Sequence, residues 1–257
     1  MLELINIGKV FNKNTVNENT VFSNFNLTVK KGEFVSIVGS NGSGKTTILN
    51  LISGNEPIDA GRIILNGFDI TKQKEYVRAA RIGRVFQDPA KGTANTMTIA
   101  ENMALADNKG KFYNLTRGLN KQRLGCYKDL LRQLNLGLED RIDTPVGALS
   151  GGQRQALTLL IATMTPVDLL LLDEHTAALD PRTREEIMIL TDKLVKAKNI
   201  TTLMVTHNLR FAVEYGSRIL MFDKGNIIID KSGEEKTNIE VRDLLKTFNE
   251  ISIECGN

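Results

Sequence analysis

The stretch EFVSIVGSNGSGKTT, Glu33–Thr47, decides the fold. Its first half, Glu33–Gly39, is a short apolar run of the kind that forms a buried strand. Its second half, GSNGSGKTT from Gly39 to Thr47, fits the pattern G-x-x-x-x-G-K-[ST]. Glycines at Gly39, Gly42 and Gly44 let the backbone of Ser40, Asn41 and Ser43 wrap closely around a phosphate chain. Lys45 brings a point charge to the outer phosphates, and the hydroxyl of Thr46, followed by Thr47, can ligate Mg2+. The motif requires a strand before it and a helix after it. The sequence supplies both, with a helix expected over Lys45–Ser53 and closed by Gly54.

Working outward, residues 2–11 and 20–29 alternate apolar and polar positions and read as paired antiparallel strands. GRIILNGFDI, Gly61–Ile70, holds an Asn66-Gly67 hairpin turn. From Asp88 to about Met164 the character becomes helical, as in TIAENMALA and QRLGCYKDLLRQLNL, and this segment reads as an insert. Strand character returns in VDLLLLD, TTLMVTH and RILMFDKGNIIID, with the helix REEIMILTDKLVKA between the first two. Such alternation argues for parallel α/β layers. IEVRDLLKTFNEI closes the pattern as a short amphipathic helix. The expectation is one α/β domain, residues 1–257, with a core and antiparallel β region over 1–87 and 165–257 and a helical insert over 88–164.

Two further motifs carry chemistry. VDLLLLDE, Val167–Glu174, is an apolar strand ending in two carboxylates. Open α/β sheets bind ligands at such strand ends, so Asp173 can join a Mg2+ shell and Glu174 can polarise an attacking water. LSGGQRQ, Leu149–Gln155, sets two glycines ahead of a helix-forming stretch, and a helix N-terminus binds anions. One chain thus carries two separate phosphate-binding devices.

Composition bounds the rest. The chain has 257 residues with 41% apolar and 25% charged, which is ordinary for a globular domain. A net charge of +3 is too mild to argue for nucleic acid. Cys126 and Cys255 show no framework spacing, which fits a reducing cytosol. No apolar run approaches the roughly 20 residues of a membrane span, and the N-terminus does not read as a signal peptide. The location expected is therefore cytoplasmic, or on a membrane through a partner. The basic segment Asn108–Arg123 reads as a solvated loop and helix start, with a docking surface as the alternative.

The P-loop, LSGGQ, the acidic strand end and a later histidine, in this order, resemble the ATP-binding cassette (ABC) ATPases over essentially the whole chain. The resemblance implies a P-loop NTPase ABC cassette with an antiparallel β subdomain and an inserted helical subdomain, with ATP and Mg2+ as cofactors. It implies that Phe11 is the aromatic residue that stacks on adenine, although a Phe there also suits a core. It implies that Gln87 in VFQDP contacts Mg2+ or the attacking water and reports to the helical insert. It implies that Asp180 in AALD belongs to a loop at the dimer interface, and that His207 in MVTHN touches the γ-phosphate. His175 stands where the family often has Pro and reads as a tolerated loop substitution. Ser150, Gly151, Gly152 and Gln153 would cap the ATP held by the P-loop of a second cassette, so the resemblance implies a head-to-tail dimer, probed below.

FQDPAKGTANTMTIAENMALA and DEHTAALDP look like a bacterial group of stand-alone importer ATPases paired with a branched-chain-amino-acid-type permease and a substrate-binding lipoprotein. The implied function is ATP-driven import of an amino acid or similar small solute through separate transmembrane permease subunits, on the inner face of the cell membrane. The alternative is a soluble cassette without a permease, such as an iron–sulfur assembly ATPase. A P-loop kinase or GTPase would leave LSGGQ unexplained.

Overall fold

The computed structural model describes residues 1–110 and 118–254, so part of the basic segment 108–123 and Cys255 lie outside the described residues. The chain folds as two compact units. Unit 1 begins with β1 (Leu2–Phe11), β2 (Asn19–Val29), β3 (Phe34–Gly39), α1 (Lys45–Ser53), β4 (Ala60–Leu65), β5 (Phe68–Asp69) and α2 (Glu75–Arg78). Unit 2 follows with β6 (Ile82–Val85), α3 (Ile99–Asp107), α4 (Leu124–Arg132), α5 (Gly151–Thr163), β7 (Leu169–Asp173) and α6 (Pro181–Lys198). The chain returns to unit 1 through β8 (Thr201–Val205), α7 (Leu209–Glu214), β9 (Arg218–Asp223), β10 (Asn226–Ser232), α8 (Gly233–Thr237) and α9 (Val241–Glu254).

Unit 1 holds two β layers. The antiparallel layer has the order β2-β1-β4-β5. Its β4–β5 turn is the expected Asn66-Gly67, with φ of 50° and 80°, the positive pair that a two-residue hairpin needs. In the other layer β3 lies between β8 and β9, parallel to both, and β10 pairs antiparallel with β9. All of β3 and β8 is buried, which explains their unbroken apolar character. Phe25 joins the layers: its ring lies 4.8 Å from Phe22 and 5.5 Å from Phe222 of β9. Burial of Ile48, Leu49, Leu51 and Ile52 seats α1. The buried Arg78 guanidinium donates to the carbonyls of Leu51 at 2.7 Å and Ile52 at 3.0 Å, satisfying the end of that helix.

Unit 2 pairs β6 with β7 in parallel, Ile82 opposite Leu169 through Val85 opposite Leu172. Its helices share one apolar core that includes Ile99, Met103, Tyr127, Leu131, Leu157, Leu160 and Ile187. The helices are shorter than the sequence pattern suggests. QRLGCYKDLLRQLNL forms α4 only to Arg132, because Asn135 and Gly137 adopt left-handed backbone with φ of 54° and 66°. Tight 3-10 turns over Leu138–Arg141 and Val146–Ala148 carry the chain to α5. Conversely α6 starts earlier than expected, with Pro181 in its first turn, where its fixed φ and missing N–H cost nothing.

Candidate functional site

The glycines of the P-loop answer to different demands. Gly39, Gly42 and Gly44 all have positive φ, 152°, 78° and 101°. A Cβ at Gly39 would collide with the Phe222 carbonyl, and one at Gly44 would lie 2.7 Å from Phe22 Cζ. Gly44 is the N-cap of α1 and offers no side chain to its first amides. Those N–H groups are left for an anion. Lys45 is buried, and its ammonium donates to the carbonyls of Gly39 at 2.9 Å and Ser40 at 2.7 Å. Ser40 Oγ donates to Asp223 Oδ1 at 3.2 Å. Ser43 Oγ is buried without a hydrogen-bond partner, and Thr46 is exposed. Thr47, half-buried, follows in the first turn of α1. The loop therefore holds one cation and a set of inward donors in a fixed backbone.

Other predicted residues of unit 1 gather around this loop. His207 follows β8 and lines a cavity of about 320 Å³ together with Gly39, Ser40 and Asn41. It is exposed, and the next residue, Asn208, caps α7 by accepting from the amides of Arg210 and Phe211. Phe11 ends β1. Two residues earlier Lys9 pairs with Phe22, the residue that abuts Gly44, so Phe11 lies at the P-loop end of the strand pair. Phe11 is half-buried, and the Lys9 ammonium sits 4.6 Å from its ring centroid.

In unit 2, β7 delivers Asp173 and Glu174 as expected. Asp173 is buried, with Oδ2 3.3 Å from an Arg84 guanidinium nitrogen. The same guanidinium stacks 4.5 Å from the Phe86 ring. Glu174 has a φ of 47°, a left-handed backbone that costs a non-glycine residue about 1 kcal/mol. Its carbonyl accepts from the Ala177 amide at 2.9 Å, closing a turn. Gln87 is exposed just beyond β6, and the carbonyl of Phe86 accepts from the buried Gln155 at 3.4 Å.

His175, read from the sequence as a tolerated loop substitution, lies in the turn after β7 and is 2% exposed, with Nε2 3.1 Å from Thr191 Oγ1 of α6. Burial pushes its pKa down to about 4. Thr191 donates its hydroxyl proton to the Ile187 carbonyl at 2.7 Å. A hydroxyl has a single proton, so Nε2 carries the hydrogen and donates to Thr191.

The signature segment is capped from within. Ser150 is the N-cap of α5: its hydroxyl accepts from the Gln153 amide, and Gln153 Oε1 accepts from the Ser150 amide, both at 3.2 Å. Gly151 and Gly152 occupy the first two helical positions, whose amides have no intrahelical partner. A Cβ at Gly152 would collide with the Thr183 methyl group. A Cβ at Gly151 would meet only Leu179 Cδ2 at 3.6 Å, so packing inside the chain does not require glycine there. Asp180 is exposed and accepts from the Thr183 amide at 3.1 Å as the cap of α6. Hydrogen bonds from the Thr183 side chain and amide lower its pKa.

Sequence reasoning missed Arg84, Lys9 and Thr191. Arg84 pairs with Asp173 far along the chain, Thr191 sits at an unremarkable helix position, and Lys9 reaches the Phe11 ring two residues on along β1, so no motif marks them. Among the described residues no helix is long and apolar enough to cross a membrane, and no cluster of three His, Cys, Asp or Glu could hold a metal alone.

Fold and loop together define a P-loop α/β nucleotide-binding cassette. The sequence profile of the ABC transporter family matches residues 22–177, and the chain belongs to that family. It is an ATP-binding, ATP-hydrolysing cassette. It is 47% identical over 248 residues to the tyrosine transport ATP-binding protein of Clostridioides difficile, covering 96% of this chain and 98% of that one. It is 31% identical to the phosphonates import ATP-binding protein of Lactococcus lactis, covering 92% and 95%. A solved dimeric ATP-binding cassette in a post-hydrolysis state with ADP and Pi is 29% identical, with a TM-score of 0.76 over 90% of this chain and 98% of that one.

Proposed function

We propose that this cassette powers import of an amino acid, with tyrosine the first candidate, through separate transmembrane permease subunits on the inner face of the membrane. The near full-length likeness to a tyrosine transport ATP-binding protein carries this reading. A substrate-binding lipoprotein outside the membrane would complete the system. The soluble alternative without a permease is not favoured, since the relatives are named for transport.

In this reading the uncapped start of α1 and Lys45 hold the phosphates, Ser40 to Thr47 supply the cradle, and Phe11 stacks on adenine. The half-buried ring, with the Lys9 ammonium 4.6 Å from its centroid, suits this. Asp173 and Thr46, with Gln87, would hold Mg2+, which neutralises phosphate charge when bound. Hard oxygen donors fit that ion. Glu174 orients and deprotonates the attacking water, and His207 contacts the γ-phosphate. Residues 88–164 act as the helical insert that relays nucleotide state from Gln87 to the permease.

Two copies work head to tail: Ser150, Gly151, Gly152 and Gln153 of one cap the ATP held by the other, with Asp180 at their interface. Gly151 is exposed, and the packing around it does not call for glycine, which supports this. The test is co-purification with the permease, followed by ATPase assay of the reconstituted complex across amino acids. Stimulation by tyrosine supports the reading. A cassette that binds no membrane protein contradicts it.

A further inference from the structure

We infer that His175 and Thr191 form a positioning pair that holds the backbone of Glu174 in its catalytic conformation. The inference rests on Glu174 being the catalytic carboxylate. Glu174 has a left-handed φ of 47° that its side chain does not favour. Such a residue keeps its conformation only when its neighbours fix it. On one side Asp173 ends the buried strand β7 and is paired to Arg84 at 3.3 Å. On the other side the turn has no strand to hold it, and Ala177 and Ala178 are exposed.

His175 lies in this turn beside the buried Thr176 and Leu179, and its side chain is bonded to α6: it is 2% exposed and donates Nε2–H to Thr191 Oγ1 at 3.1 Å. Thr191 is in turn fully buried on α6 and tied to the Ile187 carbonyl. The chain His175–Thr191–Ile187 thus fastens the residue after Glu174 to a long helix. A Pro in this place would fix its own φ but could make no such bond, so here the anchor is made by a side chain instead.

The residues are positioning residues and touch no reacting atom, so the test separates turnover from binding. Thr191→Val keeps the shape of the side chain and removes the acceptor. It should lower kcat for ATP at least fivefold, leave KM within twofold, and leave nucleotide binding intact. Thr191→Ser restores the hydroxyl and should return kcat to within twofold of the natural chain. His175→Phe fills the same space without the bond and should match Thr191→Val. The double variant should be no worse than either single one, because a single bond is lost in all three.

Should Thr191→Val prove too unstable to assay, the comparison of His175→Phe with His175→Gln replaces it. Gln presents an N–H to Thr191 and should retain more than half of kcat. Glu174→Gln, run beside them, tests the underlying assignment. If it abolishes turnover while Thr191→Val and His175→Phe turn over normally, the positioning role is overturned and the catalytic role of Glu174 stands. If Glu174→Gln itself turns over normally, both fall. Equal losses in kcat and affinity, or additive losses in the double variant, would mark simple packing and overturn the inference.

Discussion

Helices α1 and α5 both have glycine at their start, and they start differently. Helix α1 begins at Gly44, in left-handed backbone, with no side chain over its first amides and with Lys45 folded onto the loop carbonyls. Helix α5 begins at Ser150, which closes a capping box with Gln153 at 3.2 Å in both directions. An uncapped helix start with a built-in cation can hold a polyphosphate by itself. A self-capped start, whose neighbouring cation Arg154 is turned back onto the Gly147 and Leu149 carbonyls, leaves the Gly151 and Gly152 amides to add to an anion that something else already holds. In the proposed dimer the first is a binding site and the second a lid, which would explain why one chain carries both.

The largest effect expected from breaking this contrast lies at Gly151. Gly151→Asp fits inside the chain, since the added Cβ meets only Leu179 at 3.6 Å. It should leave ATP binding to the P-loop unchanged. A carboxylate about 4 Å from the γ-phosphate costs roughly 4 kcal/mol at an effective dielectric near 20, enough to abolish the ATP-trapped dimer on size exclusion.

The next concerns unit 2 alone. His175 is held neutral, its pKa about 4 against an ordinary 6.5. Between these values the unfolded chain takes up a proton that the folded chain refuses. Its contribution is therefore complete above pH 6.5 and falls as pH drops toward 4, by about 3 kcal/mol in all. Denaturant unfolding at pH 7 and pH 5 should show the loss, and His175→Phe should flatten it.

Lys45→Ala removes the cation of the first helix start. Charge-assisted hydrogen bonds are worth about 2 kcal/mol, so ATP affinity should fall roughly thirtyfold by titration. Ser150→Ala should be the mildest. It removes the cap of α5 at about 1 kcal/mol, visible as a small drop in Tm, and leaves ATP affinity of the single chain unchanged. If Ser150→Ala weakened that affinity as Lys45→Ala does, the two helix starts would not be distinct in kind.

The contrast was partly legible in the sequence. The path from β3 through the P-loop to α1 could be read because strand, glycine spacing and helix are all local signals. The Asn66-Gly67 hairpin was legible for the same reason. The stop of α4 at Arg132 was written in Asn135 and Gly137, but apolar periodicity outweighs such breakers when read alone. What could not be read is pairing at a distance. His175 meets Thr191 sixteen positions on, and Arg84 meets Asp173 across eighty-nine. The reason for each signature glycine was also hidden, since only the fold shows that Thr183 crowds Gly152 and that no packing contact among the described residues demands Gly151.

The central claim is that the two helix starts serve the same ATP only from different chains. Mixing Lys45→Ala with Gly151→Asp tests it most directly. In a mixed dimer one site joins both damaged motifs, and the other joins an intact Lys45 to an intact Gly151. Nucleotide occlusion is measured for each variant alone and for the mixture, with subunit exchange confirmed by differently tagged chains. The account predicts that neither variant alone occludes ATP and that the mixture regains it. Exchange without any regained occlusion would contradict it.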